Sequence, residues 1–183
     1  MENKLLSVKT VVAIGIGAAL MFVLMRFVAI PSGIPNVNIN LGIPVLTIFA
    51  ALFGPVAGFL IGFIGHTLVD LTWGGVWWSW VICSGIFGCI IGLFRKFYHI
   101  EDGGFGLLQC LILNGIQVAA NAVVWGFVAP TLDILIYQEP ADKVYLQGLF
   151  AGVGNALVIL ILGSLLAFGY SKTRTKAGSL KAE

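Results

Sequence analysis

The 183 residues include ten lysines and arginines against eight aspartates and glutamates, a formal net charge of +2, with 59% of positions hydrophobic and only 10% charged; mean hydropathy is +1.03. A soluble domain carries about 25% charged residues, so this composition excludes a soluble globule and points to an all-α integral membrane protein. The small, dispersed charge excludes a nucleic-acid binder, and the length accommodates one compact bundle and no sizeable additional domain.

A spanning helix needs about 20 apolar residues. On that measure six transmembrane helices are expected, at about 8–29, 43–53, 55–71, 76–94, 107–128 and 145–170, in one membrane domain (1–170) with a basic cytoplasmic tail (171–183) read as disordered. The start, MENKLLSVKTVV, is basic like a signal peptide. The apolar run behind it is too long and lacks a small-residue cleavage site, so it reads as the first span. The second span is short, and Gly54-Pro55 ends it as a breaker and tight turn. Basic residues concentrate on the cytoplasmic side of membrane proteins. With the N-terminus inside, Lys4, Lys9, Arg95, Lys96, Lys172, Arg174, Lys176 and Lys181 all fall there and only Arg26 and Lys143 do not. Both termini are thus predicted to be cytoplasmic, in a multi-pass protein of the cell membrane.

Three loops then face outward. Ile30–Pro44 has prolines, glycines and three asparagines, Asn36, Asn38 and Asn40, but no charge, and reads as a hydrogen-bonding flap. Trp73, Trp77, Trp78 and Trp80 surround a Gly74-Gly75 turn. The third stretch, 130–145, is mixed and holds Asp133, Glu139, Asp142, Lys143 and Tyr145. Inside, Arg95–Gly106 pairs basic topology anchors with an acidic, glycine-rich end.

Ionisable groups at membrane depth are expensive unless they face a cavity or a partner. His66 and Asp70 lie four residues apart on one helical face, continued by Trp73. Asn114, Gln117, Asn121 and Trp125 form a second polar stripe. Asn121, Trp125, Asp70, His66, Tyr145 and the tryptophan turn reach one depth, as a mostly aromatic pocket with a few placed polar groups requires. The competing reading has amides gluing helices and Arg26 pairing with Asp70; it is preferred for the deeper Asn114 and Asn155. Small residues recur every four positions in helices one, three, four and six, which lets backbones approach in lipid. The first helix carries two offset ridges, Ala13-xxx-Gly17 and Gly15-xxx-Ala19, more small surface than one neighbour needs.

Catalysis finds little support. There is no GxxxxGK[ST] loop for ATP, and although Ser84 and His66 could face each other, Ile82 stands where a serine protease would place a small residue. Cys83, Cys89 and Cys110 have no metal-ligand spacing and read as buried hydrophobes. No catalytic residue, metal or cofactor is expected.

The segments VAIGIGAAL, IPSGIPNVNI, LFGPVAGFLIGFIGHTLVDL, WWSWVICSGIFGCIIGLFRK and NGIQVAANAVVWGFVAPTLD resemble, across nearly the whole chain, the substrate-binding S components of energy-coupling factor transporters. Within these, the resemblance is to an uncharacterised-protein family associated with riboflavin, hydroxymethylpyrimidine and cobalamin. It implies a vitamin-capture subunit that works with a transmembrane coupling (T) protein and two cytoplasmic ATPases. It also implies a substrate lid at Ile30–Pro44, and docking through an AxxxA-like motif, matched here by Ala13, Gly15, Gly17 and Ala19 with glycine replacing one alanine of each pair. A self-sufficient proton-coupled carrier, with Arg26, His66 and Asp70 binding protons, is the alternative; an assembly protein without a small ligand is a second.

Overall fold

A computed structural model describes residues 7–174. Helix α1 (Val8–Phe27) opens with Ser7 as cap, its hydroxyl accepting the Thr10 amide at 3.2 Å, which satisfies one of the free donors of the first turn. A two-residue hairpin follows, β1 (Ile30–Pro31) against β2 (Asn38–Ile39), antiparallel. Helix α2 (Gly42–Phe53) and helix α3 (Pro55–Leu71) meet at Gly54, whose φ of 89° few other residues tolerate. Helix α4 (Trp78–Leu93) and the short α5 (Arg95–Tyr98) complete the first half.

The second half is two long rods. Helix α6 (Leu107–Val123) passes through a π-helical turn (Val124–Val128) into α7 (Ala129–Tyr137). Helix α8 (Ala141–Val158) passes through a second π turn (Ile159–Gly163) into α9 (Ser164–Lys172). Three helical stretches are long and apolar enough to cross a bilayer: Val8–Phe27, Leu107–Tyr137 and Ala141–Lys172. Shorter apolar helices, Gly42–Phe53, Pro55–Leu71 and Trp78–Leu93, lie beside them. At 1.5 Å per residue α2 is only about 18 Å long. This all-helical, apolar molecule is an integral membrane protein.

The helix expected to stop near Val128 instead runs on to Tyr137. Pro130 was the sequence signal for a stop, since proline removes an amide and crowds the preceding turn. The π turn resolves this: the Ala129 amide bonds Val124 O, five residues back, and the widened turn carries the chain past the proline. Likewise the last helix begins at Ala141 and continues through Lys172, into the stretch read as tail. Lys4, Lys176, Lys181 and the rest of that tail lie outside the described residues.

The rods α1, α2, α3, α4, α6–α7 and α8–α9 alternate in direction. One end of the bundle therefore gathers Lys9, Arg95, Lys96, Lys172 and Arg174, and the other the hairpin and the tryptophan turn. Helices α3 and α4 pack through glycine. A Cβ at Gly58 or Gly88 would strike the other's backbone, one at Gly62 would strike the Ser84 carbonyl, and one at Gly92 would strike Gly54-Pro55. Met21, Leu46, Ile61, Phe87 and Trp125 are buried in the core. On α1 the two small-residue ridges separate: Ala13 and Gly17 turn inward, Gly17 against Ile61 and Phe49, whereas Gly15 and Ala19 are exposed and Gly15 has open space before it.

Candidate functional site

Asp70 closes α3 and organises the turn after it. Its carboxylate accepts the Trp77 amide at 2.9 Å, its carbonyl accepts the Gly75 amide, and Gly74 takes the left-handed conformation (φ 101°) that lets the chain reverse. The next helix then offers its indoles to a second carboxylate. Asp133 on α7, only 1% exposed, accepts Trp77 Nε1 and Trp80 Nε1 at 2.7 Å each and also the Ser79 hydroxyl. Tyr137, one turn further, accepts the Trp78 amide at 2.9 Å and stacks on Trp77 with centroids 4.2 Å apart. A buried carboxylate is stable only when hydrogen bonds or a partner satisfy it, and Asp133 has three donors.

These groups wall a cavity of about 620 Å³ that opens at the tryptophan end of the bundle. The hairpin covers one side: Asn36, Asn38 and Asn40 line it, and Gln147 on α8 holds the hairpin by donating to the Pro35 carbonyl at 2.8 Å. His66, Asp70, Trp73 and Trp77 line the opposite side, and Trp80 and Trp125, with ring centroids 5.2 Å apart, form an aromatic wall. Asn155 and Met25 also face the cavity, and Lys143, paired with Glu139 at 2.6 Å, stands in its lining.

Three residues expected at the site do not line it. Trp78 points away, half exposed, and stacks on Phe63. Tyr145 is exposed beside Thr131. Asn121 is buried behind the wall in an amide ladder. Its Nδ2 donates to Gln117 Oε1 (3.0 Å), Gln117 donates to Asn114 Oδ1 (3.1 Å), and Asn114 donates to Ser164 (2.9 Å). The ladder leaves Asn121 Oδ1 and Trp125 Nε1 buried without a partner.

Arg26 does not pair with Asp70; its guanidinium lies over the Trp73 ring at 4.5 Å, a cation–π contact. His66 Nδ1 is 2.6 Å from Ser84 Oγ and Nε2 is 3.6 Å from Asp70. That is the order of a nucleophile–base–carboxylate array. Ser84, however, is fully buried where α3 meets α4, with no room for a substrate carbonyl.

Sequence reasoning left Asp133 in a mixed outer stretch and did not assign it to the site. Its signal was a stripe at four-residue spacing, Asn121, Trp125, Ala129, Asp133. On a regular α-helix such a stripe drifts by about 40° per step; with the π turn between them, Trp125 and Asp133 both line the cavity.

The chain matches, over residues 5–172, the family described as the ECF-type riboflavin transporter, S component. It belongs to this S-component family. Relatives named UPF0397 protein are 53% identical in Clostridium perfringens SM101 and 52% in Enterococcus faecalis V583, each over the full length of both chains. Another, in Lacticaseibacillus casei, is 49% identical over all of this chain and 98% of its own. An S component is the substrate-binding subunit of a transporter and not an enzyme, so the His66–Ser84 contact is a helix–helix hydrogen bond rather than a catalytic pair.

Proposed function

We propose that this S component captures a vitamin or vitamin precursor from outside the cell in the tryptophan-lined cavity. It would release it inward only in company with a transmembrane coupling protein and two ATPases. The observation that carries the reading is the cavity itself: its volume lies within the roughly 300–1,000 Å³ of small-molecule sites, and aromatic rings and a few fixed polar groups line it under an asparagine-bearing hairpin. In the proposed topology six helices cross the membrane. Lys9, Arg95, Lys96, Lys172 and Arg174 lie on the cytoplasmic side, in keeping with the positive-inside rule, and the cavity opens outward.

Riboflavin is the ligand we place first. The family description names it, and three fused rings with a ribityl chain suit both the volume and the aromatic wall. Hydroxymethylpyrimidine, a single ring, leaves most of the space to water, and cobalamin needs the mouth to widen. Docking of the coupling protein is assigned to the exposed Gly15–Ala19 ridge of α1, since Ala13 and Gly17 are already used within the bundle.

Reconstitution into liposomes tests the reading. The chain alone binds labelled riboflavin without accumulating it, and accumulation appears when the coupling protein, the ATPases and ATP are added. Accumulation by the chain alone under a proton gradient would overturn this in favour of a proton-coupled carrier, to which the His66–Asp70 contact would then belong.

A further inference from the structure

The charge of the cavity wall is uneven. Asp70 and Asp133 both line it, and the ion pairs among the described residues give neither a lysine or arginine partner. Asp70 is satisfied by the Trp77 amide and a 3.6 Å approach of His66; Asp133 is satisfied by two indoles and a hydroxyl. At the mouth Glu139 and Lys143 cancel. Arg26 is outside the lining, stacked on Trp73. The wall thus carries two carboxyl groups without a lysine or arginine counter-ion, and no uncompensated lysine or arginine. Its surfaces are indole faces, which attract positive charge and repel anions.

One lining group looks for a partner. Trp125, 2% exposed, has an indole N–H without an acceptor, and a buried donor of this kind is normally satisfied by a ligand or water. A ligand that reached this N–H would present an acceptor to it, such as a ring nitrogen or carbonyl.

We infer that Asp70 and Asp133 make the site charge-selective: it takes a flat heteroaromatic ring that is neutral or positively charged, and rejects the phosphate ester of the same ring. This rests on the ligand-capture reading above. A phosphate monoester brings about −1.5 to −2 charges at neutral pH into a wall where the effective dielectric is far below that of water. The nearest cation, Lys143, is already engaged.

The test compares matched pairs on the purified, detergent-solubilised chain: riboflavin with riboflavin 5′-phosphate, and hydroxymethylpyrimidine with its phosphate. The unphosphorylated member of whichever pair binds is expected to bind at least tenfold more tightly. Asp70→Asn is expected to narrow that ratio. Glu139→Gln, which leaves Lys143 without its counter-ion at the mouth, narrows it without touching the inner wall. Equal affinity within a pair, or a ratio unchanged in both folded variants, overturns the charge selection and leaves ligand capture standing. Absence of binding by both members of both pairs overturns the charge selection of a flat ring; cobalamin binding to the same preparation would leave ligand capture standing, and its absence as well would overturn both.

Discussion

Asp133 carries more of the site than any other side chain, because three donors from the tryptophan turn converge on it. Asp133→Ala removes the acceptor of two part-buried indole N–H groups and of the buried Ser79 hydroxyl. At roughly 1–3 kcal/mol for each unsatisfied buried group, the loss should exceed that of any cavity-lining asparagine. We expect a markedly lower unfolding temperature in detergent for Asp133→Ala and a smaller drop for Asp133→Asn, which retains an acceptor; equal drops would mean that the carboxylate's bonds are immaterial. The residues that did announce themselves in the sequence, His66, Asp70 and the tryptophans around Gly74, did so because charge and indole are out of place in an apolar run. Asp133 stood equally out of place. Pro130 hid it by suggesting that the helix had ended, and the π turn that carries the helix past the proline has no signature in residue type. Trp78 misled for the opposite reason: its neighbours Trp77 and Trp80 face the cavity, and a one-residue offset on a helix turns a side chain to another face.

At the scale of elements, the bundle's first half is held by backbone contact between α3 and α4. Gly88→Val would drive a branched side chain into the Gly58 carbonyl, an overpacking that costs about 1–3 kcal/mol. Gly115→Ala, with open space before it, should leave stability unchanged; thermal denaturation of the two variants checks the contrast. The four-residue recurrence of small residues was legible in both helices, and these two ridges face each other. On α1 recurrence alone could not tell which ridge serves the bundle and which is free, because that depends on where Ile61 and Phe49 sit. Accordingly, Gly17→Leu should lower the yield of folded protein. Gly15→Leu should keep fold and ligand binding but weaken co-purification with the coupling protein. Loss of ligand binding in Gly15→Leu would place that ridge inside the bundle after all.

For the whole molecule, a membrane protein of helices was readable from composition, since so few charges cannot clothe a soluble surface. The cavity was readable only as a convergence of polar positions at one depth. Its enclosure comes from the Gln147–Pro35 bond that ties the hairpin to α8, a contact between residues far apart in the chain that no local pattern encodes. The proposed orientation predicts that single cysteines replacing Ser32 and Thr173, in a variant lacking Cys83, Cys89 and Cys110, are labelled by a membrane-impermeant reagent from opposite sides: Ser32→Cys from outside and Thr173→Cys from inside. Labelling of both from one side would refute the alternating arrangement.

The most direct test is an equilibrium titration of the purified chain, free of partner proteins, with riboflavin, hydroxymethylpyrimidine and cobalamin, followed by tryptophan fluorescence. The account predicts saturable quenching by riboflavin at submicromolar concentration, weakened about tenfold or more in Trp125→Phe, which keeps the ring but removes the N–H. A tenfold loss is about 1.4 kcal/mol, the scale of one hydrogen bond. Saturable binding of cobalamin or hydroxymethylpyrimidine alone would replace the ligand. Failure of all three to bind the intact, folded chain would contradict the claim that it is a capture subunit in its own right.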